Sequence, residues 1–314
     1  MKEIQRIVEI IKSIDDIKSL EENRIVINGN TDDFEIVDSE IVFEGKNNIV
    51  YIEPGVKIHG SNIRFFGKNN IVYLSSNKYI YRLKIDMYNH STCYIGRDCS
   101  FNREMYMICS EQKNIIIGND GLFSFDIWIR NADPHLIYDM HNKKRINRSR
   151  SVYIGDHVWI GQHAMLLKGC KIGSGSIVGA LSVTGSSIES NCSVAGNPAK
   201  ARRRGIFWLR PSVHKWKADK TREFKSVEDD DAKDFIFMKD RGHEYINHIE
   251  KNLKKLTEPD DRLEFIISEI SNNDDRERFS ICSKKTLRYY RNEKIKRKIK
   301  EKIKNILILL KIKK

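Results

Sequence analysis

"IGDHVWIGQHAMLLKGCKIGSGSIVGALSVTGSSIE", residues Ile154–Glu189, is one six-residue pattern written six times without a break. The first positions are Ile154, Ile160, Leu166, Ile172, Val178 and Thr184, and the fifth are Val158, Ala164, Cys170, Ser176, Ser182 and Ile188. A bulky aliphatic residue every sixth position, with a smaller one four later, suits a triangular coil of short parallel strands. The aliphatic side chain points into the core, the small residue fits near the corner, and glycine lets the chain turn. Three blocks, 18 residues, complete one coil. A glycine-rich antiparallel sheet has no reason to keep six consecutive blocks in phase.

Upstream the same coil recurs with a longer period. "GKNNIVY" stands at Gly45–Tyr51 and again at Gly67–Tyr73, and "STCYIGR", "KNIIIGN" and "RSVYIGD" continue it in degraded form. The matching aliphatic positions are Ile52, Leu74, Ile95, Ile117 and Ile154, at spacings of 22, 21, 22 and 37 residues. The last interval therefore carries an insertion. It contains "NADPHLIYDMHN", Asn131–Asn142, a polar stretch with two histidines and two aspartates.

The hexapeptide blocks, the ending "VAGNPAKARRRG" (Val194–Gly205) and the insertion with its Asp-x-His resemble the left-handed β-helix acyltransferases. The resembling branch is that of the bacterial capsule and lipopolysaccharide O-acetyltransferases, which includes the sialic acid O-acetyltransferases. The resemblance covers Ile115–Gly205 most fully and thins after Arg210. It implies a mainly β fold: a left-handed parallel β-helix solenoid, flanked here by an N-terminal capping helix and an α-helical C-terminal extension. The expected division is 1–24 for the N-terminal helix and 25–205 for the β-helix, with the catalytic loop insertion at about 124–150. A helical or irregular region follows over 206–283, and a basic amphipathic helix over 284–314.

O-acetylation from acetyl-CoA needs a base for the sugar hydroxyl, donors for the thioester oxyanion and a groove for CoA beside the acceptor. A histidine of unperturbed pKa ~6.5 suits the first task near neutral pH. The resemblance assigns that role to His135, in Asp133-Pro134-His135-Leu136-Ile137-Tyr138-Asp139, with Asp133 or Asp139 orienting the imidazole. It also implies that Trp159, outward-facing in the first tight rung, lines the acetyl and acceptor pocket. His141 is the second candidate base, whereas His157 and His163, six apart, read as ordinary rung positions. Cations suit CoA's phosphates, and "NPAKARRRG" supplies Lys200, Arg202, Arg203 and Arg204. Ala180, Ser182 and Gly196 are candidates for backbone contact with the pantetheine arm. No metal is expected, and the resemblance implies a homotrimer with sites between adjacent solenoids.

The chain has 314 residues, of which 40% are hydrophobic, enough for a substantial core. Its 6 cysteines include no CxxC pair, against a disulfide framework or a zinc cluster. The N-terminal stretch is too charged for a signal peptide, and no uncharged run approaches the ~20 apolar residues of a bilayer span, so the expected location is cytoplasmic. Ile4, Ile7, Val8, Ile11, Ile14 and Ile17 follow a helical period and predict a helix capping the first coil. The net charge of +13 is concentrated at the end: residues 284–314 hold 14 Lys/Arg and 2 Asp/Glu, the other 283 hold 42 and 41. Ile295, Ile299, Ile303, Ile306 and Leu310 stripe this basic segment, which reads either as a helix lying on the inner membrane face or as one packed on its own protein. Nucleic acid is not an expected partner, because the tail lacks interleaved aromatics and the body is neutral.

Three functions fit. The first is an acetyl-CoA-dependent O-acetyltransferase acting on a surface polysaccharide or its sugar precursor by direct transfer. The second is an acetyltransferase for a small acceptor, a nucleotide amino sugar or serine. The third is a non-enzymatic solenoid that binds glycan; it would need neither the insertion nor the "AGNPAK" ending.

Overall fold

The computed structural model describes residues 8–312. Strands from successive coils stack into three sheets, two of eight strands and one of six. The first sheet runs from Glu9–Ile11 to Val183–Thr184, the second from Arg24–Ile27 to Ser187–Ile188, and the third from Ser100–Phe101 to Lys200–Arg204. A separate parallel pair, Glu35–Val37 with Lys57–His59, lies ahead of the third sheet. The repeat spacing is the strand register. Ile52 pairs with Leu74, Leu74 with Ile95, Ile95 with Ile117, Ile117 with Ile154, and Ile154 with Ile172. The 37-residue interval thus returns to register after its excursion.

The glycine, asparagines, aliphatic residues and tyrosine of "GKNNIVY" each have a physical task. A Cβ on Gly45 would stand 2.0 Å from the Gly67 carbonyl oxygen, so the corner admits only glycine. Asn47 and Asn69 take the left-handed conformation, φ 55° and 58°, that turns the chain, and their side chains bond at 2.9 Å. Asn48 and Asn70 form a buried ladder in which each Oδ1 accepts from the backbone N–H of the next coil. Val50 and Val72 enter the core, while Ile49 and Ile71 face outward with Tyr51, Tyr73 and Tyr94, whose rings stack at 4.7 and 5.1 Å.

That outer tyrosine face is not exposed. Helices Gly242–Leu253 and Pro259–Ile266, with the segment that follows, lay Ile246, Ile249, Leu253, Ile266, Ile270, Phe279 and Ile281 over Tyr51, Tyr73, Tyr94 and Tyr153 of the second sheet. Each such side chain contributes about 1.5–3 kcal/mol on burial. Polar anchors fix the cover in place. Arg278 forms a buried two-point ion pair with Asp156 at 2.9 and 3.2 Å. Burial alone would lower the Arg278 pKa, but the Asp156 carboxylate holds it above the usual arginine value. Ser271 and Tyr73 donate to Glu53, and Tyr153 to Glu250.

The chain entry differs from the expected helix. Residues 1–7 lie outside the described residues; Glu9–Ile11 is a strand, antiparallel to Glu40–Phe43, and Asp15–Ser19 is a single 3₁₀ turn. The first strand of a sheet leaves a row of backbone groups that a strand satisfies and a helix does not. The Glu9 carboxylate fixes the return by accepting from the Glu21 and Glu22 N–H groups and the Asn23 amide. At the far end Lys200–Arg204 closes the third sheet as a second antiparallel strand.

Candidate active site

The insertion leaves the coil after Trp128–Arg130 of the first sheet and rejoins it at Val152–Ile154 of the second. It is an ordered hairpin. Ile146 N–H donates to Ile137 C=O and Asp139 N–H to Lys144 C=O, while Tyr138 and Arg145 pair antiparallel. Asp139 shapes the tip by accepting from the His141 and Asn142 N–H groups, both at 2.9 Å.

Asn147, buried at the base, holds the hairpin. Its Oδ1 accepts from Ile137 N–H at 2.9 Å and Arg145 Nε at 3.2 Å; its Nδ2 donates to the His135 carbonyl at 2.6 Å and to Asp133 at 3.2 Å. Lys168, from the next rung, pairs with Asp133 and donates to the Asn147 carbonyl. Its ammonium holds the Asp133 carboxyl below the usual carboxylate range. Arg145 and Ser149 both engage Glu111, whose carboxyl falls to about 2 on account of the Arg145 hydrogen bonds first and Ser149 second. His135 is exposed beside these anchors, and among the described residues no hydrogen bond reaches its ring. Both aspartates are committed elsewhere: Asp133 to Lys168 and Asn147, Asp139 to the hairpin tip. A cleft of about 590 Å³ opens next to the hairpin, lined in part by Tyr88, Ile108, Arg130, Pro134 and Leu136.

The other named residues sit elsewhere on the coil. Trp159, 38% exposed, belongs to the third sheet, between Leu122 and Ile177. The row continues through Ser193 to Arg203, three strand spacings or about 14 Å from Trp159. Ala180 is exposed at the corner leaving this sheet, and Gly196, with φ 104°, lies at the same corner one coil on. Ser182 is buried, its hydroxyl accepting from Gly196 N–H at 3.2 Å. Lys200, Arg202, Arg203 and Arg204 are exposed on the terminal strand; Arg204 pairs with Glu189 at 3.6 Å, and Arg202 lies over Gly196. Trp159 and the cationic residues therefore share one face. His135 stands at the corner between the other two, across the coil.

His157 serves as a core residue. It is 3% exposed, bonds Asp120 at 2.6 Å through Nδ1 and the Trp208 carbonyl at 2.9 Å through Nε2, and stacks on Trp208 at 4.0 Å. Arg210 completes the set with a 2.7 Å bond to Asp120. Asn147 and Lys168 escaped sequence reasoning because their role depends on contacts across the hairpin base. Among the described residues no group of three or more His, Cys, Asp and Glu is placed to hold a metal.

Residues 151–186 match the bacterial transferase hexapeptide (six repeats) family. The crystal structure of the polySia-specific acetyltransferase NeuO is 31% identical, with a TM-score of 0.56 over 64% of this chain and 91% of that one. The chain belongs to the hexapeptide-repeat transferases, in the polysialic acid O-acetyltransferase branch. This hexapeptide-repeat protein is also similar to the polysialic acid O-acetyltransferase OatWY, 30% identical, TM-score 0.55, over 65% of this chain and 97% of that one. Two curated polysialic acid O-acetyltransferases match over shorter stretches. The protein of Escherichia coli O1:K1 / APEC is 41% identical over 33% of this chain, and that of Neisseria meningitidis 34% identical over 38%. The matched stretches span about a third and about half of those relatives' lengths, 34% and 55%.

Proposed function

We propose that this protein is an acetyl-CoA-dependent O-acetyltransferase that acetylates a hydroxyl of a bacterial surface glycan of the polysialic acid class. The observation that carries this reading is the single ordered insertion in an otherwise periodic coil, holding His135 clear of the core on an Asn147–Asp133–Lys168 base. A scaffold has no use for it, and the similar solved structures, NeuO and OatWY, are polysialic acid acetyltransferases.

The acceptor hydroxyl gives its proton to His135 as its oxygen attacks the thioester carbonyl. The tetrahedral intermediate collapses with loss of the CoA thiolate, which takes the proton from the imidazolium. No acyl-enzyme forms. The exposed cations Lys200, Arg202 and Arg203 suit CoA's phosphates, with Trp159 about 14 Å up the same row toward the thioester end. His135 and Trp159 lie on opposite sides of one coil, so the site joins the hairpin of one copy to the third sheet of the next, in a homotrimer. The second sheet is already covered by the chain's own helices and leaves the other faces for assembly.

The test is acetyl-CoA turnover on polysialic acid, free sugars and nucleotide sugars, with His135→Ala alongside. Polymer-dependent CoA release that falls 10²–10⁴-fold in the variant is expected. Turnover that His135→Ala leaves intact refutes the assignment.

A further inference from the structure

We propose that helix Lys284–Ile312 docks the protein on an anionic lipid surface. The acetyltransferase reading is not needed for this. The root of the helix is fixed to the last coil: Thr286 donates to Glu189 at 2.5 Å, Ser283 caps the Thr286 N–H, and the Tyr290 ring lies against Gly205. Beyond this root the helix presents Ile295, Ile299, Ile303 and Ile306, each about half exposed at 51–55%. Packing on its own protein, one of the two readings of the stripe, would have covered these side chains.

At about 100° per residue the four isoleucines fall within an 80° arc, bordered by Lys302 on one side and Lys296 on the other. A narrow apolar band between cations is the profile of a helix lying in a membrane interface. It does not suit a second copy of itself. Bundling such helices along the stripe would bring the bordering lysines of each, Lys302 among them, beside those of its neighbours. Nor does it suit nucleic acid, which would use the cations and leave the isoleucines wet. No helix of the described residues is long and apolar enough to cross a membrane, so the contact is peripheral.

Cosedimentation of the full chain with phosphatidylcholine vesicles, with and without phosphatidylglycerol, tests this. Binding only to the anionic vesicles, weakened by salt, is expected. Lys302→Gln should weaken it roughly fivefold. Ile299→Asp/Ile303→Asp should abolish it without changing the helical content or turnover on soluble acceptor. No binding to anionic vesicles overturns the proposal. So does binding that the isoleucine substitutions leave unchanged, or tighter binding to an RNA oligonucleotide than to vesicles. Self-association through the stripe in place of vesicle binding would assign it to a second copy.

Discussion

A chain that carries His135→Ala has the third-sheet face but no base; one that carries Trp159→Ala has the reverse. Each alone should lose about 10²-fold or more, the base through lost proton transfer and the tryptophan through misplaced reactants. Co-expressed under two tags and purified through both, the mixed trimers behave differently. In a closed ring each site takes its hairpin from one copy and its third sheet from the next. Whether the mix is two-to-one or one-to-two, one junction in the ring pairs a wild-type hairpin with a wild-type Trp159. Mixed trimers should therefore recover about one third of wild-type CoA release, far above either parent. The number follows from the placement of Trp159 and the hairpin on opposite sides of the coil. If both residues served a site within one chain, no mixed trimer would hold an intact site. Activity at the level of the parents would then refute the divided site.

Other perturbations test the supports. Asn147→Ala removes four hydrogen bonds at the hairpin base and should cost about 2–4 kcal/mol of local order at roughly 1 kcal/mol for most bonds. Turnover should fall at least tenfold, with little change in the melting of the coil; a Tm drop with intact turnover would contradict it. Arg278→Met leaves the Asp156 carboxylate buried and unpaired and should destabilise by about 3–5 kcal/mol in denaturant titration, largely recovered in Asp156→Asn/Arg278→Met. Glu111, depressed to about 2 by Arg145 and Ser149, tethers the hairpin fully above the ordinary carboxylate pKa and releases it as pH falls through the depressed value. The Asp139 and Ile146 amides should therefore be less protected from hydrogen exchange at pH 2.5 than at pH 5 once corrected for intrinsic exchange rates, and Glu111→Gln should erase the difference.

The coil was legible because a solenoid's long-range contacts repeat at a fixed sequence interval. Ile117 and Ile154 announce their pairing across 37 residues only because Ile52, Leu74 and Ile95 set the rhythm. The insertion was legible as a break in that rhythm. The N-terminal strand was not, because Ile4 to Ile17 match a helical period and only the neighbouring edge decides otherwise. The cover over the second sheet carried a missed signal. "IVYI" and "IVYL" alternate nothing; they are apolar on both faces, which marks a strand buried on both sides. The hairpin clamp was illegible, since Lys168 meets Asp133 across 35 residues of unrelated sequence. The expected aspartate beside the imidazole did not follow either, because the ladder of neighbours claimed both carboxylates first.

The two antiparallel end strands have a further consequence. Coils stacked in register, with an asparagine ladder and a column of tyrosines, share the geometry of a fibril, and nothing within a coil says where stacking stops. Reversed strand polarity at Glu9–Ile11 and at Lys200–Arg204 supplies that stop, and at the far end four like charges repel any newcomer. The strand proposed to grip CoA's phosphates is thus also the terminator of a polymer. Stripping its charge to abolish cofactor binding would at the same time bare a growing end, so an inactive variant there would be interpretable only once it is shown to remain dispersed.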